Sequence, residues 1–546
     1  MKKRIFPLLL LFVHIFLAHA GDSNVKTDLK AGKNEISIRM DDGAMLATDI
    51  YLPKGEGAFP AVIVRTPYNK SALEWIAKNF NESGIAVVVQ DVRGKYKSGG
   101  EFYPFINERA DGLQTLKWIR SQLWASGHIT GWGGSYVGYT QWAISDSLDL
   151  LTPVLTGANL YDLVYPGGLF SLQTAFNWGL AVASKEANKI KPEKALASFN
   201  ILPLSVADDS TIMDIPFLND WILHEKYDEY WQNMDFRGKT KAPVISVAGW
   251  YDIFLDAQLK DFQALAGRSG TGSRLIVGPW CHGGQGEKNE FGGEAKTGKL
   301  TAPVDYVKNL IRGKNAVMPE PFTDKTYSLF IMERNEYVGS DAWPPRETQS
   351  VPFYIGPGSY LSKEKFMKDG ALQYEYSPSD PFPSKGGTAL GAGVGPARQD
   401  DNRSRKDQLV FEMKIADKPM ILLGNISATL WLSSDAECTD FIVGVQDIFP
   451  DGKIINIQEG GAKVKSGQKE PQKTEISVWA TGYQLNPGHH LRVVISSSWF
   501  PRFNRSLNSC EPAFAAKNMK SARQTVGYGG KTPSSVNLPV YTLTEK

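Results

Sequence analysis

The chain has 546 residues, too many for one ordinary core, so two or three domains with ample apolar burial are expected. Lys plus Arg is 60 against Asp plus Glu 58, a net charge of +2 with no basic block, which argues against a nucleic-acid surface and for small-molecule or short-peptide partners. Only Cys281, Cys438 and Cys510 are present, which excludes a disulfide-rich scaffold and leaves one Cys438–Cys510 bridge open.

The first segment, MKKRIFPLLLLFVHIFLAHAGDS, has a basic start, an apolar run over residues 5–17 and a small-x-small site at Ala18-His19-Ala20. That is the pattern of a secretory leader over residues 1–20, with the mature chain starting at Gly21. The run is short of the roughly 20 residues that span a bilayer, so no stable membrane anchor is expected. The expected product is soluble and exported, periplasmic in a Gram-negative source. Short strands then open a sheet (EISIRM, MLATDIYL, AVIVR), and GIAVVVQDV reads as a strand buried on both faces. Helical stretches alternate with them: SALEWIAKNF, then ERADGLQTLKWIRSQL with Ala110, Leu113, Leu116 and Ile119 at three-residue steps drifting along one face. Alternating β and α argues for a doubly wound sheet over residues 21–160, resumed over 238–324 by APVISVAGWYD and SRLIVGPW. Between them, residues 161–237 are rich in Trp, Phe, Tyr and helix formers and read as a helical cap over the strand ends, where open α/β sheets bind ligands. From 325 to 546 the texture becomes short alternating strands with Gly, Pro, Asn and Asp turns, the pattern of an all-β sandwich or jelly roll. The Gly/Pro-rich residues 379–403 read as a long surface excursion within it.

The stretch HITGWGGSYVGYTQW reads strand, sharp turn, helix, with Ser135 at the turn. This is the context of a nucleophile elbow, although the strict G-x-S-x-G pattern is only half obeyed: Gly133 precedes the serine by two, Val137 follows by two, and the next glycine is Gly138. A serine hydroxyl needs a base, and of seven histidines two leave with the leader, His224 lies in the cap, His489 and His490 lie in the β-domain, and His128 starts the strand that carries Ser135. His282 follows RLIVGPWC directly, beyond the carboxyl end of a sheet strand. Asp252, just past VISVAGWY, is placed in the same way to orient it. Taken singly, Asp252 reads equally as a helix N-cap and His282 as a solvated loop histidine. The order Ser135, Asp252, His282 is that of α/β-hydrolases. Acyl transfer also needs oxyanion donors. The Tyr136 amide supplies one; Tyr68, in IVRTPYNK, either offers a phenolic O–H or packs the turn after Pro67, which the residues alone favour. No C-x-x-C or H-E-x-x-H occurs, so no metal site is expected, and GKYKSGG lacks the spacing of a phosphate loop; no cofactor is called for.

Together RTPYNK, VVVQDVRGKYKSGGEF, GWGGSYVGYTQW, GWYDIF and GPWCHGG resemble the CocE/NonD hydrolases, the group of cocaine esterase, α-amino-acid ester hydrolases, glutaryl acylases and X-Pro dipeptidyl-peptidases. The family pattern G-x-S-Y-x-G is met in full by Gly133, Ser135, Tyr136 and Gly138, and TDFIVGVQDIFPDGKIINIQEG and LNPGHHLRVVISSSWFPRFNRS look like its jelly-roll domain. The resemblance implies a serine hydrolase of ester or amide bonds acting through an acyl-enzyme, with Ser135 as nucleophile, His282 as base, Asp252 as orienter, and Tyr68 with the Tyr136 amide as oxyanion hole. Dipeptidyl-peptidase action and, from another class, a non-catalytic glycan-binding jelly roll are the rivals. Two carboxylates by which the amino-acid ester hydrolases hold an ammonium fall at Phe254 and Leu255, while Asp162 matches a third. A more apolar acyl pocket, lined partly by Trp and Phe of the insertion, is therefore expected.

Overall fold

A strand covered on both faces reads as a near-continuous apolar run, and Ala86–Asp91 and Ile245–Tyr251 are buried at every residue. In the computed structural model, which describes residues 28–186, 192–210, 213–265, 272–283, 303–466 and 470–543, both lie inside a ten-stranded sheet. The leader of residues 1–20 is outside the described residues. The strands are β1 (Gly32–Arg39), β2 (Met45–Leu52), β3 (Phe59–Thr66), β4 (Ala86–Asp91), β5 (Ala125–Gly134), β6 (Leu150–Val154), β7 (Ile245–Tyr251), β8 (Arg274–Cys281), β9 (Tyr327–Ile331) and β10 (Glu336–Ser340). Their order is β1-β2-β4-β3-β5-β6-β7-β8-β9-β10, parallel from β4 through β9 and antiparallel at both edges.

Helices cover both faces. The period-2 alternation sorts Ile63 and Val88 to one core and Val62, Val64, Val87 and Val89 to the other. On the first side pack α2 (Glu108–Ser121), α3 (Tyr136–Ala143) and α9 (Leu255–Gln263); on the second, α1 (Glu74–Asn81) and α10 (Val304–Ile311). The buried face of α2 differs from the expected one. Glu108, Asp111, Gly112, Thr115, Leu116 and Ile119 are buried, whereas Ala110 is exposed. Three-residue steps fall back about 60° each on a 3.6-residue helix, so Ala110 and Ile119 end on opposite sides. The buried carboxylate of Glu108 is met by Arg65 at 2.9 Å.

The cap leaves the sheet after β6 and contains α4 (Tyr161–Val164), α5 (Leu172–Val182), α6 (Pro192–Ser198), α7 (Pro216–Leu223) and α8 (Glu229–Gln232). The change of texture at residue 325 does not mark the end of the large sheet. β9 pairs in parallel with β8, Leu275 opposite Tyr327, and β10 folds back on β9. A short apolar strand reads the same whichever sheet accepts it, which is why sequence texture assigns this hairpin to the wrong neighbour.

The C-terminal domain is built of antiparallel sheets: β11 (Thr348–Ile355), β12 (Leu361–Ser362), β13 (Gly370–Tyr376), β15 (Met420–Ser434), β18 (Gln472–Leu485), β20 (Ala522–Tyr528) and β21 (Ser535–Tyr541) in one, β14 (Gln408–Lys414), β16 (Cys438–Ile448), β17 (Ile454–Lys465) and β19 (His490–Ser496) in the other. This is the expected β-sandwich of jelly-roll class. Cys438 and Cys510 form a disulfide. Residues 379–403 are not simply a surface excursion: Thr388 and Ala389 are buried, Gly387 and Gly395 exchange backbone hydrogen bonds, and Asn177 of α5 donates to Leu390 O at 2.7 Å. An arm of the β-domain thus reaches the cap.

Candidate active site

β5 ends and α3 begins across Ser135, whose backbone has φ 56° and ψ −130°. A non-glycine residue in that region stores strain of order 1–3 kcal/mol, here held by Ser135 N–H donating to Val154 O at 2.9 Å and by Thr156 Oγ1–H donating to Ser135 O at 2.7 Å. The flanking glycines have separate reasons. Gly133 has φ 132°, and a Cβ on it would lie 2.4 Å from Val137 Cγ1; one on Gly138 would lie 2.3 Å from Thr156 Cγ2. The departure from G-x-S-x-G follows: Val137 covers Gly133, and close approach is needed at Gly138, where α3 crosses the chain after β6.

Parallel strands β7 and β8 deliver the other two groups at the same carboxyl edge, Asp252 immediately after β7 and His282 immediately after β8. Asp252 is wholly buried, and its Oδ1 accepts the Phe254 amide N–H at 2.9 Å. Its Oδ2 lies 2.7 Å from His282 Nδ1, and His282 Nε2 lies 3.0 Å from Ser135 Oγ. Burial, then the charge of Asp252, pushes the neighbouring Cys281 thiol up to about 12, so it stays protonated and offers no competing nucleophile at neutral pH.

Tyr68 follows β3, and its loop is tightly tethered. Tyr68 N–H donates to Thr66 Oγ1 at 3.0 Å, Lys70 N–H to Asp91 Oδ1 at 2.7 Å, and the buried Lys70 ammonium pairs with Asp49. With 37% of the residue exposed, the Tyr68 hydroxyl accepts Trp178 Nε1–H at 2.9 Å. Desolvation raises the Tyr68 pKa, with Trp178 and Ser135 opposing, so at neutral pH the phenol keeps its O–H. The Tyr136 amide opens α3, where helix N–H groups have no intrahelical acceptor. Its side chain is fixed separately, donating to Glu108 Oε1 at 2.7 Å and accepting Phe105 N–H at 3.0 Å.

Ser135 and His282 open onto an almost wholly apolar cavity of about 490 Å³, mouth included. Trp178 is its centre: its ring stacks on Trp221 at 5.8 Å, on Phe105 at 5.3 Å and on Tyr136 at 5.9 Å. The tryptophans come from the insertion, as expected, but the lining phenylalanines, Phe105 and Phe254, come from the sheet domain, and Leu390 comes from the β-domain arm.

Residues 42–284 match the family model of the X-Pro dipeptidyl-peptidase (S15 family), and residues 322–537 match its C-terminal non-catalytic domain. The chain is 30% identical to cocaine esterase of Rhodococcus sp. (strain MB1 Bresler), with 93% of this chain and 98% of that one covered. The chain belongs to the S15 family. It is a CocE/NonD-type serine hydrolase. The fold is shared with an aminopeptidase from the marine sediment archaeon Thaumarchaeota archaeon (TM-score 0.80, 20% identity, 96% of this chain and 99% of that one). It is shared equally with an α-amino acid ester hydrolase (TM-score 0.78, 21% identity, 98% and 100%).

One expected residue of this S15 hydrolase is not brought to the site. Asp162 does not line the cavity; on α4 it pairs with Arg237, which also holds Asp261 at 2.6 Å, and with Lys260 at 3.1 Å. Two cations already satisfy it. Sequence reasoning missed Trp178 as the donor to Tyr68, Phe105 as a wall and Leu390 as a contribution from the far domain. The aromatic density of the cap signalled the first in kind; nothing local to Leu390 signalled the last.

Proposed function

We propose that this S15 serine hydrolase is an exported esterase or acylase for apolar acyl groups, working through an acyl-enzyme on Ser135. The unbroken relay from Ser135 Oγ to His282 at 3.0 Å and on to Asp252 at 2.7 Å, at the mouth of an apolar cavity, carries this reading. Ser135 Oγ attacks the scissile carbonyl carbon as His282 Nε2 takes its proton. Asp252 holds Nδ1–H toward itself and stabilises the imidazolium. The tetrahedral oxyanion is met by the Tyr68 hydroxyl and the Tyr136 amide. His282 then returns the proton to the departing alcohol or amine, and water repeats the sequence in reverse to free the acid. The flat faces of Trp178, Trp221 and Phe105 suit a planar apolar acyl group.

Dipeptidyl-peptidase action requires a counter-charge for the substrate's free amino group, and among the described residues the cavity lining contains no carboxylate. That favours esters and acyl amides over X-Pro peptides. Export is supported by the leader and by the Cys438–Cys510 disulfide, which suits an oxidising compartment. Purified wild type is expected to hydrolyse p-nitrophenyl benzoate well above alanyl-prolyl-p-nitroanilide, and a fluorophosphonate probe to label Ser135. Ser135→Ala is expected to lose about 10⁴–10⁶ in kcat; normal turnover by that variant would sink the reading. N-terminal sequencing of exported protein is expected to start at Gly21, and an uncleaved cytoplasmic product would refute export.

A further inference from the structure

The acyl cavity is walled by the sheet domain, by the cap and, at Leu390, by the arm of the β-domain. That arm is held differently at its root and at its tip. At the root, Gly387 and Gly395 exchange backbone hydrogen bonds at 2.7 and 2.9 Å. Two side chains of β17 add to them. Glu459 Oε1 accepts Thr388 N–H at 3.2 Å and pairs with the buried Arg502. Asn456 Oδ1 accepts Ala397 N–H at 2.7 Å, and Asn456 Nδ2–H donates to Gly395 O at 3.2 Å.

The tip is fastened more lightly. Residues 391–393 are exposed, and among the described residues one hydrogen bond joins the tip to the cap, from Asn177 Nδ2–H to Leu390 O at 2.7 Å. Asn177 stands on α5 beside Trp178, which is itself a wall of the cavity. The tip is shaped to receive that amide: Gly391 has φ 132°, and a Cβ on it would lie 2.8 Å from Asn177 Nδ2. A single hydrogen bond of this kind shifts an equilibrium by roughly threefold to tenfold. With the root held at several points and the tip at one, the Asn177 amide governs whether Leu390 is seated.

We propose that Asn177 sets the acyl-size limit of this hydrolase by latching the arm tip, so that Leu390 closes its side of the cavity. Asn177 is a positioning residue and touches no reacting atom. The proposal rests on the reading of Ser135 as an acyl-ester nucleophile. Latched, the wall favours compact acyl groups such as benzoyl. Unlatched, it yields to long chains, while a compact acyl group loses a contact.

The test removes the latch from either side in the full mature protein. Asn177→Asp keeps the shape but has no hydrogen to donate to the Leu390 carbonyl, and Gly391→Ala places a methyl group against the Asn177 amide. Wild type and both variants are compared on p-nitrophenyl acetate, benzoate and octanoate. The ratio of kcat/KM for octanoate to that for benzoate is expected to rise at least about threefold in each variant, with acetate turnover within about twofold of wild type. A ratio unmoved in both variants, a rise in only one of two folded variants, or an equal fall on all three esters would overturn the proposal. Gly391→Ala lies at an exposed tip, so it decides the matter alone if Asn177→Asp misfolds. Failure of wild type to hydrolyse any of the esters would overturn the esterase reading and this proposal with it, whereas hydrolysis with an unmoved ratio overturns this proposal alone.

Discussion

Two histidine–aspartate pairs with buried carboxylates, among the described residues, have nearly the same geometry and different surroundings. His282 Nδ1 is 2.7 Å from Asp252 Oδ2, and in the β-domain His489 Nδ1 is 2.9 Å from Asp447 Oδ2; both carboxylates are fully buried. The second oxygen of Asp252 takes a backbone N–H, while Asp447 takes the Tyr483 hydroxyl at 3.0 Å. The far nitrogen of His282 meets Ser135 beside a cavity, whereas the His489 ring packs against Phe449, centroids 4.5 Å apart. A carboxylate-oriented imidazole is thus a general device for fixing a ring. It becomes a base only where parallel strands also bring a strained serine and an open cavity to the same edge.

The contrast is broken most directly by alanine at each histidine. His282→Ala is expected to lower kcat by about 10⁴ or more, whereas His489→Ala leaves turnover within about threefold and lowers Tm. Equal losses of kcat in both variants would erase the distinction. Next in size, Tyr68→Phe is expected to cost about 10²–10³ in kcat with little change in KM, because a donor at the oxyanion acts in the transition state. A change in KM alone would reduce Tyr68 to packing. The smallest effect concerns pH. Burial holds the Asp447 carboxyl above its ordinary 3.8, with His489, Tyr483 and Lys453 opposing. The folded protein therefore keeps a proton that the unfolded chain has released, so this group's contribution to stability is full below 3.8 and is lost as pH rises through the raised value. Thermal unfolding across the acid range is expected to show that slope in wild type and not in Asp447→Asn; an identical slope in both would refute the assignment.

The acylation site was legible because its three side chains each follow a buried strand, and strands of continuous Val and Ile are hard to mistake. Order along the chain did the rest. Tyr68 is different: the residues alone favour a turn-packing role, and only the hydroxyl's bond from Trp178, a residue of the acyl cavity, gives it another. Asp162 misled because its type suits an ammonium, while the cations that occupy it, Arg237 and Lys260, are 75 and 98 residues away. The β9–β10 hairpin and the face of α2 failed for local reasons, one because strand texture does not name its sheet, the other because a three-residue row circles a helix. Leu390 was invisible because nothing in its own neighbourhood encodes a docking partner 213 residues earlier, Asn177.

The arm that carries Leu390 bears on how the enzyme matures. A chain emerging in order completes its nucleophile, orienter and base by residue 282, yet the cavity that holds the acyl group lacks a wall until the arm has folded against α5. The last domain to be synthesised thus supplies part of the cavity wall of the first and also braces the strand before Asp252, where Gln458 Nε2–H donates to Trp250 O at 3.1 Å and Tyr251 O–H to Asn456 O at 3.0 Å.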